Sequence, residues 1–177
     1  AVTTVFLAPG GPALVATPAW TALARRVGKE RAFAVASAVF TLAAASVVVA
    51  AWAPGAWLYA SIAVAGVAYA GLQSLPMAML PDVISHDERT SGRGQAGTFT
   101  GVWTAGETVG FALGATIVAL TLAATGYVST TAGTTTTQPD AAVLGIVLTF
   151  SAAPAVVMLL SLLALSRYRL RRADIDA

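Results

Sequence analysis

Glu107 stands near the centre of the run GVWTAGETVGFALGATIVAL, residues 101–120, and no other ionisable side chain occurs between Gly94 and Ala124. A carboxyl group inside so much apolar sequence persists in one of three ways. It faces water or protein, it pairs with a cation, or it holds a proton. On a helix its own face gathers Thr100, Trp103, Thr104, Phe111 and Gly114 at spacings of three, four or seven. Trp103 offers a stacking surface to a sugar or other ring, and Thr104 and Thr108 offer hydrogen bonds. Tyr69, Gln73 and Ser74 place polar atoms inside the preceding apolar segment, and Gln73 either lines an aqueous cavity or bonds a neighbouring helix. Two roles for Glu107 follow: a cavity carboxylate that binds hydroxyls or amines or exchanges a proton, or a structural carboxylate paired with a basic residue outside this chain.

Other chemistries lack their residues. Cysteine is absent, so no disulfide, thiolate nucleophile or thiolate metal site exists. His86 is the single histidine, flanked by Asp87 and Glu88, and one imidazole with loop carboxylates makes a poor metal cage. No paired carboxylates and no nucleophile beside His86 suggest an enzyme, and no cofactor is expected.

The elements that must hold Glu107 follow from composition. Hydrophobic residues make up 57% of the 177 and charged ones 10%, against roughly 45–50% and about 25% in soluble domains. A bilayer core takes about 20 mostly apolar residues per helix. Five such segments are expected near 1–22, 33–52, 57–80, 95–123 and 141–166. The period-two alternation of a membrane barrel is missing, so the fold class is an all-α polytopic transmembrane bundle in a lipid bilayer.

Charge fixes a direction for these segments. The net charge is only +2, which gives no reason to expect nucleic acid. Arg25, Arg26, Lys29 and Arg31 lie between the first two segments, Arg89 and Arg93 between the third and fourth, and Arg167, Arg169, Arg171 and Arg172 after the fifth. All ten cations thus fall on one side. The positive-inside rule puts that side in the cytoplasm of an inner (plasma) membrane, with residue 1 outside and the carboxyl terminus inside.

Along the chain, Pro9, Gly10, Gly11, Pro12 and Pro18 interrupt the first segment, a break that suits either a gating region or a packing kink. Gly106, Gly110 and Gly114 form a GxxxGxxxG stripe turned about 100° from Glu107, along which another helix can approach closely. The third and fourth segments are joined by LPDVISHDERTSGRGQAG, residues 80–97, read as a polar loop in which Asp82 and Asp87 can cap helix starts and Arg89 and Arg93 can pair with carboxylates. The start AVTTVFLAPGGP has no initiating Met and no positive n-region, and suggests a chain joined in mid-helix.

That loop, the glycine-rich helix after it, ATGYV, the segment from Gln138 to Gly145, FSAAPAVVM, the ending SRYRL and the basic loop PAWTALARRVGKERAF together resemble the glycoside-pentoside-hexuronide:cation symporters, the melibiose-carrier branch of the major facilitator superfamily. The resemblance covers essentially all 177 residues and implies helices eight to twelve of a twelve-helix transporter, the carboxyl-terminal part of a major facilitator fold. It implies cation-coupled symport of a sugar or related small solute by alternating access, with H+ or Na+ as coupling ion and the missing amino-terminal half as partner. Pro81, Asp82, Asp87, Glu88 and Arg93 carry its cytoplasmic loop motif. Ser85 and His86 stand where the family often has Asp and Tyr, and Glu107 takes the place of a lysine, so coupling chemistry does not transfer residue by residue. A small membrane scaffold or assembly subunit with no transport of its own is the alternative.

Overall fold

The computed structural model describes residues 16–53, 55–129 and 136–167. Helix α1 is described over 16–27, and α2 spans Lys29–Val47, continued by a 3-10 turn at Val48–Ala51. Then follow α3 (Trp57–Ser91), α4 (Ala96–Ala124), α5 (Asp140–Phe150) and α6 (Ala152–Leu165). Most of the expected first segment lies outside the described residues. Among those described, four stretches are long and apolar enough to cross a membrane: α2, α3, α4 and the α5–α6 pair. The protein is a multi-pass helical membrane protein.

Its core is built from small side chains. Ala16 and Trp20 of α1, Ala32 and Ala36 of α2, and Ala70 and Leu75 of α3 form one buried cluster. In lipid the tails solvate a leucine as well as another helix does, so association rests on close backbone approach and hydrogen bonds, and alanine and glycine permit both. Gly71 shows how close: a methyl group there would lie 2.8 Å from the Trp20 ring and 2.9 Å from the Ala36 methyl. The Trp20 indole donates to the Val67 carbonyl at 2.7 Å, so the ring that covers Gly71 is also pinned to α3. Large apolar residues such as Leu42, Phe111, Leu120 and Leu163 point outward, as a lipid-facing surface requires.

The connections explain how the helices turn. Gly28, at φ 98°, makes the corner between α1 and α2, a conformation that a β-carbon disfavours. At the opposite end of the bundle α4 stops in a Schellman turn: Gly126 has φ 70°, Tyr127 N–H donates to Leu122 at 3.0 Å and Gly126 N–H to Ala123 at 3.4 Å. Gln138 then pairs at both ends of its amide with the Val128 backbone, at 3.0 and 2.8 Å, and brings the chain back to α5.

Two expectations change. Helix α3 runs through Pro76 and Pro81 to Ser91, so the stretch read as a polar loop is mostly helix. Thirty-five residues are roughly 52 Å long, well beyond an apolar core of about 30 Å, and the surplus projects past the bilayer. Gly92, at φ 68° and donating to Glu88 at 3.0 Å, ends the helix instead. Asp82 and Asp87 therefore sit inside α3 and cap nothing. The last segment is split at Ser151 (φ −121°, ψ −65°). Pro154 has no N–H for the Phe150 carbonyl and its ring would strike that carbonyl in a continuous helix.

Candidate functional site

Helix α4 carries the interior charge, and among its described residues none is buried. Glu107 is exposed, and among the described residues no hydrogen bond or ion pair reaches its carboxylate. Gly97, Thr100, Gly101, Thr104, Ala105, Thr108 and Val109 line one shallow open groove of about 700 Å³ along the helix. Thr100 donates to Ala96 at 2.9 Å and Thr108 to Thr104 at 2.8 Å. Those protons are spent within the helix, so the oxygens offer lone pairs to the groove. A ligand that donates hydroxyl or amine protons matches this surface.

The expected constellation is only partly assembled. Thr104 and Thr108 share the groove. Trp103 and Glu107 do not line it. Glu107 precedes Thr108 and points about 100° away around the helix, at the groove's margin. Trp103, one turn before Glu107 and on the same side of the helix, is half-buried, with its indole N–H shielded from solvent and without an acceptor among the described residues. On α3, Gln73 donates to the Tyr69 hydroxyl at 2.7 Å, and both side chains are exposed. That pair is joined to no α4 side chain by a hydrogen bond among the described residues.

A second polar assembly lies at the end with the basic loops. Lys29 Nζ contacts Asp82 Oδ2 at 2.5 Å and donates to the Ala78 carbonyl at 2.9 Å. Lys29 opens α2, where the helix dipole disfavours a cation, and both Asp82 and the neighbouring Glu30 offset that placement. The pair ties the α1–α2 corner to α3 beside Pro81. It borders a half-enclosed cavity of about 360 Å³, also lined by Thr21, Arg25, Glu30 and Ser74. Sequence spacing gave Asp82 no partner, because a contact 53 residues away depends on the α2–α3 packing. Of the remaining motif residues, Pro81 lies within α3, Asp87 accepts from Ser91 at 3.4 Å, Glu88 supplies the carbonyl that meets Gly92, and Arg93 N–H donates to Ser91 Oγ at 3.2 Å.

Comparison with known proteins bears on both assemblies. The family model described as MFS/sugar transport protein matches residues 1–172. A protein named an uncharacterized symporter, from Synechocystis sp., is 33% identical over 171 residues, 96% of this chain and 31% of that protein. The chain thus spans about a third of the length of the curated relative it matches. No solved structure matches it.

Proposed function

We propose, from the premise that this chain belongs to the MFS/sugar transport protein family, that it is the carboxyl-terminal membrane part of a symporter that moves a sugar or related small solute with H+ or Na+. The remaining length of the transporter would then supply the second bundle that alternating access needs. In this reading the basic end faces the cytoplasm, the Gln138 end faces outside, and the transport path runs along α4. One observation carries it: the single interior carboxylate sits on the one long helix, among the described residues, that has no buried residue. A carboxylate left against lipid costs several kcal/mol, so this face needs water or protein over it. A solvated path between two bundles provides both.

The threonine oxygens of the groove would accept protons from solute hydroxyls while Glu107, at its margin, accepts a hydroxyl or amine or carries the coupling proton. Trp103, Tyr69 and Gln73 would serve as contacts brought in by rearrangement of α3 and α4. The Lys29–Asp82 pair would hold the cytoplasmic ends of α2 and α3 at a fixed spacing. The test is uptake of a panel of labelled mono- and disaccharides into vesicles holding the complete transporter, at several pH values with and without Na+. Glu107→Gln is expected to lower coupled uptake at least about tenfold, and a Glu107→Gln protein with unchanged uptake and unchanged pH and Na+ dependence would overturn the role given to the carboxylate.

A further inference from the structure

The interruption at Ser151 divides the last membrane span into two pieces with different attachments. Helix α6 packs along α2, whereas α5 packs on α4 and on the 3-10 turn at Val48–Ala51. Gly145 makes the α4–α5 contact close, since a methyl group there would lie 2.7 Å from Thr125 Cγ2 and 3.1 Å from Thr121 Cγ2. Among the described residues little else holds α4, which touches α3 only slightly and buries none of its residues. Whatever α5 does, α4 follows.

The break has chemistry suited to bending. Pro154 removes the bond that would cross it. Ser151, fully buried, turns its hydroxyl back to the Val147 carbonyl at 2.5 Å and so satisfies an acceptor that a bent helix leaves open. On the far side Ala155 N–H donates to Ser151 at 3.1 Å, so each piece keeps its own hydrogen bonding up to the joint. The neighbouring 3-10 turn, against which α5 rests, is a second place where α-helical bonding gives way. A joint that has given up the backbone bond across it, and whose serine hydroxyl caps the piece before it, can change angle without breaking a helical hydrogen bond.

We infer that Ser151 and Pro154 form a hinge about which α5, with α4 attached, moves relative to the α1–α2–α3–α6 block. Glu107 lies roughly 20 Å along α4 from the Thr121 contact, so small rotations of α5 become displacements of several ångström at the carboxylate. The hinge itself rests on the packing. Only its consequence for Glu107 rests on the transport reading above.

Because the chain has no cysteine, introduced pairs can be spin-labelled cleanly. Leu144→Cys with Leu160→Cys spans the joint, and Val102→Cys with Val118→Cys gives the same sixteen-residue separation within α4. In the full chain in lipid nanodiscs, pulsed dipolar spectroscopy is expected to give a wider distance distribution across the joint than within α4. Pro154→Ala should narrow it to the width of the control and move it toward about 24 Å, the length of sixteen helical residues. An across-joint distribution as narrow as the control in the chain with Pro154 intact would overturn the hinge without recourse to any variant that might fail to insert. Pro154→Ala leaving a broad distribution unchanged would overturn the role of the proline. Distances answer this with no uptake measured, so a failed hinge and a failed transport assignment are told apart.

Discussion

The α1–α2–α3 cluster and the length of α4 use the same small residues to opposite ends. At Gly71 the missing β-carbon is filled by Trp20 and Ala36, whereas at Gly97, Gly101, Gly106, Gly110 and Gly114 an added β-carbon would meet nothing within 4 Å among the described residues. In the first region small size is consumed by packing inside this chain. In the second it stays available, next to the only interior carboxylate and a row of hydroxyls. Composition does not separate the regions; what each glycine faces does. A helix with Glu107 on it and no cover among the described residues is a surface awaiting protein or water, and that is why the functional reading settles on α4 and not on the better-packed helices.

The sharpest way to break this contrast is the same substitution in both places. Gly71→Leu has to displace an indole ring and a neighbouring helix, an overpacking that should cost about 3 kcal/mol or destroy the fold. Gly110→Leu in the isolated chain should change stability by less than about 0.5 kcal/mol. Reversible unfolding in mixed detergent micelles, followed by helicity, reads both. Equal effects would mean that α4 is packed in a way the contrast denies. In the complete transporter Gly110→Leu should abolish uptake as well, if the rest of the protein covers that stripe.

A smaller effect tests how the packed region is pinned. Trp20→Phe keeps most of the ring over Gly71 and removes the indole bond to Val67, so a loss of about 1 kcal/mol is expected. Lys29→Met removes an ion pair whose lysine is 39% and whose aspartate is 16% exposed, and should cost about 1 kcal/mol. Its double-mutant cycle with Asp82→Asn, by the same unfolding measurement, should return a coupling in that range. A coupling well above it would mean that the pair is sheltered from solvent more than its exposure indicates.

What could be read from sequence follows from range. Apolar length and the charge of the loops are local or additive, so the helical bundle and the oddity of Glu107 were legible. The extension of α3 was not, because a proline beside a polar, charged stretch reads locally as the end of a helix. Within 35 residues the glycine at 92, with its positive φ, sets the end more firmly than Pro76 or Pro81. The break at Ser151 was written in Pro154 but hidden by unbroken hydropathy. The grouping of Thr104 and Thr108 with Thr100 away from Trp103 depends on which part of the helix surface is left open, and a helical wheel cannot decide that. The Lys29–Asp82 contact needed the packing of two helices.

The smallest expected effect examines the packed region from inside. Ser37 is fully buried in α2, and among the described residues its hydroxyl has no hydrogen-bond partner, although its carbonyl accepts from Thr41 at 2.7 Å. Ser151, equally buried, has the partner that Ser37 lacks. A buried hydroxyl without a partner costs roughly 1–3 kcal/mol relative to one in water, and removing it leaves a void smaller than a methyl group. Ser37→Ala should therefore be neutral or stabilise the chain by up to about 1 kcal/mol, while Ser151→Ala should destabilise it by a similar amount. If unfolding instead shows Ser37→Ala to be clearly destabilising, the hydroxyl has a partner in the bilayer-inserted protein, and the close packing of α2 encloses polar space.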